Sequence, residues 1–219
     1  MEENARNIQL IVEYNGANFY GWQRQEALPT VQGCLESALN QILGEVPPMV
    51  AAGRTDAGVH ALGQVINFRT TSAIEGWKFA PALNRFLPVE ISVHRSQQVH
   101  SDFNARNDSL SKKYRYRIYE GPQRSALEHQ RAWPWRSPID VLRIEEAATH
   151  LVGEHDFESF RHTECDAEHA IREMFDFHTT AVKENKIDDV KSGRYRARHG
   201  TAAATCRPGL YSLLTLYLL

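Results

Sequence analysis

Residues 51–65 read AAGRTDAGVHALGQV. Three glycines, an arginine, an aspartate and a histidine crowd a segment that has MVAA at its start and QVINF at its end. Apolar runs on both sides of a glycine-rich stretch predict strand, loop, strand. Gly53 and Gly58 permit backbone conformations closed to other residues, so the turn can hold Arg54 and Asp56 in fixed geometry. An aspartate drawn into a water-poor cleft tends to take up a proton, and a guanidinium nearby opposes that. An Arg-x-Asp pair on a rigid loop therefore suits a carboxylate that must stay ionised as nucleophile or base. The same spacing fits a structural Asx-turn with a surface ion pair worth about 0–1 kcal/mol. Spacing alone does not separate the two.

Upstream, IQLIVEY (8–14) alternates Ile8, Leu10, Val12 and Tyr14 and predicts a strand. NGANFYGWQRQ follows as a glycine-punctuated loop. Thr30 is placed to cap a helix over 31–43, whose Val31, Cys34, Leu35, Ala38, Leu39, Ile42 and Leu43 keep the 3.6-residue period. Gly44 and Pro47-Pro48 end it.

Downstream, FAPALNRFL predicts a short helix and VEISVHR a strand. KKYRYRIYE (112–120) predicts a strand with Tyr114, Tyr116 and Ile118 on one face and Lys113, Arg115, Arg117 and Tyr119 on the other. Interleaved cations and rings suit phosphate contact with base stacking, although alternating aromatics also serve as core. GPQRSALEHQRAWPWRSP reads as an irregular connector. A second helix is expected from Ser137-Pro138 through Val152, with Val141, Leu142, Ile144, Ala147, Ala148 and Leu151 inward and Gly153 as its stop. MFDFHTTAV, with Phe175 and Phe177 sharing a face, and GLYSLLTLYLL predict further strands. The pattern is α+β: two halves, 1–122 and 123–219, with largely antiparallel or mixed sheets and a cleft between them.

The 219 residues carry 42% hydrophobic and 24% charged side chains, an ordinary globular composition. No apolar run approaches the ~20 residues that cross a bilayer, and Met1 precedes EENARN rather than a leader, so a cytoplasmic protein without a membrane is expected. Cys34, Cys165 and Cys206 lie far apart, which supports neither a disulfide framework nor a zinc site. Cys165 and His169 form a lone pair, and no phosphate-cradling glycine motif occurs. The net charge of −2 hides segregation: Arg106, Lys112, Lys113, Arg115, Arg117 and Arg124 face two acids within 104–124, whereas 140–189 is strongly acidic. Such segregation lets one face attract phosphates on a nearly neutral molecule.

GWQRQ (21–25), PTVQG-x-LE-x-AL from Pro29, GRTDAGVHALGQV, FNAR (103–106) before KKYRYRIY, and GEHDFESF (153–160) occur in this order. From about residue 8 to residue 182 the chain resembles the TruA-type family of tRNA pseudouridine synthases. The resemblance implies two pseudo-symmetric halves flanking a central catalytic cleft. It implies an isomerase, without cofactor or metal, that turns uridine into pseudouridine in the anticodon stem-loop at tRNA positions 38–40, and works as a homodimer. By motif, Asp56 is then the nucleophile, Arg54 its partner, and Tyr114 the ring that stacks on the flipped base. Lys112, Lys113, Arg115, Arg117 and Arg106 are expected to contact RNA.

After residue 182 the motifs diverge. The family there carries a helix whose Met-Val-Arg-like stretch faces the active site, and ENKIDDVKSGRYRARHG does not read as that helix. The half 123–219 is thus expected to be shortened or diverged after about 182, and the family's arginine there is either missing or replaced by Arg194, Arg196 or Arg198. Two readings stand: a working synthase, or an impaired relative that binds tRNA without modifying it.

Overall fold

The computed structural model describes residues 5–160, 170–183 and 210–218. The chain divides into two compact units between Ser109 and Leu110.

In the first unit, β1 (Arg6–Tyr14) is flanked by β3 (Ala61–Thr70) and β4 (Ile91–Val99), and β2 (Met49–Ala51) pairs with β3. All pairings are antiparallel, in the order β2-β3-β1-β4. The alternation of Ile8, Leu10, Val12 and Tyr14 puts all four on one buried face, and Leu10 lies opposite Ile66 and Ile8 opposite Phe68. Helix α1 (Val31–Leu43) closes that face with Val31, Leu35 and Leu39, and α2 (Phe79–Leu83) contributes Phe79 and Leu83. Phe79 meets Phe68 edge-on at 5.4 Å. Each such side chain taken from water contributes roughly 1.5–3 kcal/mol.

Helix α1 follows its sequence signals closely. Thr30 Oγ1 accepts the Gly33 N–H at 3.2 Å, and Gly44 (φ 73°) closes the helix by donating to Asn40 O. Glu36, polar and midway along, is nevertheless buried. Arg24 meets it at 2.5 Å and Gln32 Nε2 donates to it at 2.9 Å, so the burial is compensated.

The second unit holds β5 (Lys112–Glu120), β6 (Trp133–Trp135), α3 (Val141–Thr149), β7 (Gly153–Asp156), β8 (Ile171–Lys183) and β9 (Leu210–Leu218). Its sheet runs β6-β5-β9-β8-β7, with β6 parallel to β5 and the other pairs antiparallel. Helix α3 packs on β8, where Thr179 Oγ1 donates to Glu145. The protein is thus α+β, with largely antiparallel sheets and few helices.

Some expectations shift. The strand Lys112–Glu120, read with the first half up to 122, makes its ladder with β6 and β9 inside the second unit. The connector contains the short strand Trp-Pro-Trp at a sheet edge, where Pro134 needs no inner ladder partner. Helix α3 begins three residues after Pro138, because Asp140 Oδ1 accepts the Arg143 N–H and sets the first turn, and it ends three residues before Val152, with His150 N–H donating to Ala147 O. Only the narrow stripe Val141, Ile144 and Ala148 turns inward, which leaves Leu142 71% exposed and Ala147 exposed. The register shift between Met174 and Asp176 leaves Phe175 exposed.

Thr30→Ala should lower the stability of the chain by about 1 kcal/mol, and Thr30→Ser should restore most of it, as read from chemical denaturation.

Candidate active site

The loop 52–60 joins β2 to β3 and is tied down along its length. Ala52 N–H donates to Val65 O at 2.9 Å, Trp22 N–H to Thr55 O at 2.9 Å, and Gly58 N–H to Phe19 O at 3.2 Å. The amide of Gln64 donates to Gly53 O, and Gly16 N–H donates to His60 Nδ1 at 3.1 Å. Between these ties, Val59 N–H donates to Asp56 O at 3.1 Å and closes a turn over Asp56–Val59. Gly58, at the third position, takes a left-handed φ of 79°, a conformation that favours glycine.

These bonds bear on the choice that spacing left open. An Asx-turn at Asp56 would need the N–H two residues on, yet Gly58 gives that N–H to Phe19 O. The turn is built from the main-chain carbonyl of Asp56, and the side chains of both Arg54 and Asp56 are exposed. Asp56 is exposed to solvent.

The neighbouring GWQRQ segment explains the loop's rigidity. Gly21 O accepts the Val31 N–H at 3.2 Å, and Trp22 O accepts the Gln32 N–H at 3.0 Å. Thr30 Oγ1 accepts the Gly33 N–H, so the N–H groups of Val31, Gln32 and Gly33, which have no partner within α1, are all satisfied. Trp22 is buried against Tyr14, with ring centroids 6.2 Å apart. The Tyr14 hydroxyl lies 2.8 Å from Thr55 Oγ1. Burial pushes the Tyr14 phenol pKa up, and its hydrogen bonds to Thr55 and Gln64 offset part of that.

Arg106 sits exposed on a loop with its own buried anchor. Asn67 Oδ1 accepts the Ala105 N–H at 2.8 Å, and Asn67 Nδ2 donates to Asn7 Oδ1 at 3.0 Å. Asn7 in turn donates to the carbonyls of His100 and Phe103 at 3.0 and 2.8 Å. Sequence reading missed this pair, and it also missed Tyr14, Thr55 and Gln64 as supports of the loop. One signal was available: Gln64 breaks an otherwise apolar register, since its partner Val12 belongs to the buried face.

Tyr114, 40% exposed, lies on β5 in the second unit with exposed Lys112, Lys113 and Arg115. Arg117 is different: it is half-buried, and its Nη2 lies 3.0 Å from Glu128 Oε2 in an ion pair without an aligned hydrogen bond. Arg54, Asp56 and Arg106 belong to the first unit. Arg194, Arg196 and Arg198 fall outside the described residues, as do Cys165 and His169.

The loop is thus pinned through its backbone and carries Arg54 and Asp56 outward. A family profile described as tRNA pseudouridine synthase matches residues 10–108 and 147–200. The tRNA pseudouridine synthase A of Acetivibrio thermocellus is 42% identical over 83% of this chain and 74% of its own length. Those of Geotalea uraniireducens (41%, 84% and 76%) and Myxococcus xanthus (37%, 88% and 72%) are similar. The chain belongs to the tRNA pseudouridine synthase family, isomerases that act on tRNA. The family match reaches residue 200, further than the motif resemblance that was expected to end near 182.

Two glycine substitutions separate strain from collision. Gly58→Ala has open space around the added Cβ and should cost about 1–2 kcal/mol from left-handed strain alone. Gly21→Ala combines φ +85° with a Cβ 2.7 Å from Thr55 O, so denaturation should find it the less stable of the two.

Proposed function

We propose that this chain converts uridine to pseudouridine within tRNA, with Asp56 as the nucleophile. One observation carries the reading: the turn at Asp56 is made by main-chain groups, which leaves an exposed carboxylate on a pinned backbone. The reaction breaks the N1–C1′ glycosidic bond, turns the uracil while it stays bound, and forms the C5–C1′ bond. The C5 proton is released and N1 takes one up, so atoms balance and no oxidant is consumed. Arg54, one residue removed across Thr55, supplies the positive charge that keeps the carboxylate ionised once RNA excludes water.

A base inside an RNA stem must be flipped out at a cost of a few kcal/mol. In this reading Tyr114 stacks on it and returns ~1–3 kcal/mol. The relatives' name supports tRNA as the substrate, and the motif resemblance alone points to an anticodon stem-loop target at positions 38–40. Lys112, Lys113, Arg115 and Arg106 contact phosphates, and Arg117 contributes less because Glu128 already holds it. We infer by the same resemblance a cytoplasmic homodimer. No helix among the described residues is long and apolar enough to cross a membrane.

The test is release of tritium from tRNA labelled at uridine C5. Wild type should release it, and Asp56→Asn should abolish release. Equal release by both removes Asp56 as the reacting group. No release by wild type that still binds tRNA points to the impaired, tRNA-binding relative instead.

Reversing charge with Lys112→Glu and Lys113→Glu should weaken tRNA binding at low salt. The slope of log K against log salt should flatten by about one for each phosphate left without its lysine. An unchanged slope takes β5 out of the RNA footprint.

A further inference from the structure

We propose that Tyr14 is a positioning residue for the Asp56 reaction, its buried hydroxyl holding Thr55 so that Arg54 and Asp56 project from a fixed backbone. The inference rests on the reading of Asp56 above and extends it to residues that touch no RNA. Tyr14 is 2% exposed and ends β1 directly beneath the loop. Its hydroxyl is 2.8 Å from Thr55 Oγ1, and Thr55 is the single residue between Arg54 and Asp56. On the other side of Arg54, the Gln64 amide holds Gly53 O. Arg54 is thus bracketed by two polar ties that come from the two paired strands β1 and β3.

The strands are shaped for this. Val12 pairs with Gln64 but Tyr14 pairs with Ala61, so β3 carries one extra residue opposite Glu13. Such a bulge turns the strand and re-aims its side chains, a device frequent beside active sites. It puts Gln64 and Tyr14 at the loop end of a face otherwise made of Leu10, Val12, Ile66 and Phe68. A buried phenol and a half-buried amide destabilise an apolar face unless they are bonded. A leucine or phenylalanine would fill the space without that need. Both polar groups direct their bonds to the residues flanking Arg54, which is where packing gains least and geometry gains most. Because burial disfavours the phenolate, the hydroxyl keeps its proton over the working pH range and the tie persists.

Tyr14→Phe keeps the ring against Trp22 and removes the hydroxyl's bonds to Thr55 and Gln64, whereas Thr55→Ala removes the Thr55 tie alone, from the loop side. We expect each to lower kcat for tritium release about tenfold or more, since displacement of a reacting group by ~1 Å costs up to 10²-fold. KM for tRNA should stay within about twofold, because the RNA-contacting cations are untouched. Thr55→Ser, which keeps the hydroxyl, should return kcat to near wild type. The Tyr14→Phe/Thr55→Ala double variant should be no slower than Tyr14→Phe alone, as expected for one shared interaction.

A parallel measurement needs no turnover: amide hydrogen exchange at Trp22, whose N–H donates to Thr55 O. Exchange there should quicken about tenfold in both single variants while Leu39 in α1 keeps its protection. Unchanged exchange at Trp22, or kcat unchanged in a folded Tyr14→Phe variant, overturns the proposal, and so does an inactive Thr55→Ser. Asp56→Asn run alongside keeps the two claims apart. Loss of release there with normal Tyr14→Phe turnover refutes positioning alone, whereas retained release in Asp56→Asn refutes the nucleophile and this inference with it.

Discussion

The dipeptide Gly21-Trp22 is the joint on which the first unit turns. Its two carbonyls take the first unpaired N–H groups of α1, and the Trp22 N–H goes to Thr55 O in the Asp56 loop. Helix, sheet and loop are therefore not three packed objects but one hydrogen-bonded series. Each bond contributes only about 0.5–1.5 kcal/mol net, so their value lies less in stability than in direction. Position 21 admits no side chain, because the chain there is left-handed and a Cβ would press on the Thr55 carbonyl. The indole of Trp22 then seals the arrangement by packing on Tyr14.

What could be read in the sequence follows from how local its causes are. Helix α1 was legible from end to end, because its cap, apolar stripe and terminal glycine all lie within fifteen residues of one another. The Asp56 loop was legible as a rigid turn from its glycines, and the ordered motifs supplied the family. The ties that make the turn rigid were not legible. Tyr14 and Thr55 are 41 positions apart, Asn7 and Asn67 are 60 apart, and only the register of β1 against β3 brings them together. Helix α3 failed at its edges for a different reason. Its apolar residues outnumber what a nine-residue helix can turn toward one strand, so periodicity alone could not tell Leu142 from Val141.

Charge shows a similar division between composition and placement. The basic stretch 104–124 looked uniform as a sequence. In the fold, Arg106 is presented by an asparagine clamp and Arg117 is drawn to Glu128, while Lys112, Lys113 and Arg115 remain exposed along β5. A cation already paired with a half-hidden carboxylate must give up that partner before it can meet a phosphate. In the RNA-binding reading proposed above, Arg117 would have to break its ion pair with Glu128 to meet a phosphate.

Where the donors go also bears on the Asx-turn reading of Asp56. An aspartate placed to shape a turn commits its carboxylate to a main-chain N–H, and at this position the relevant N–H groups already donate to carbonyls. Asparagine, serine or glycine would serve the backbone equally well. The fold around residue 56 fixes where a side chain leaves the chain and takes no benefit from which side chain it is. In the reading proposed above, the identity of the residue answers to the reaction, since an exposed carboxylate is otherwise a poor surface for binding polyanionic RNA.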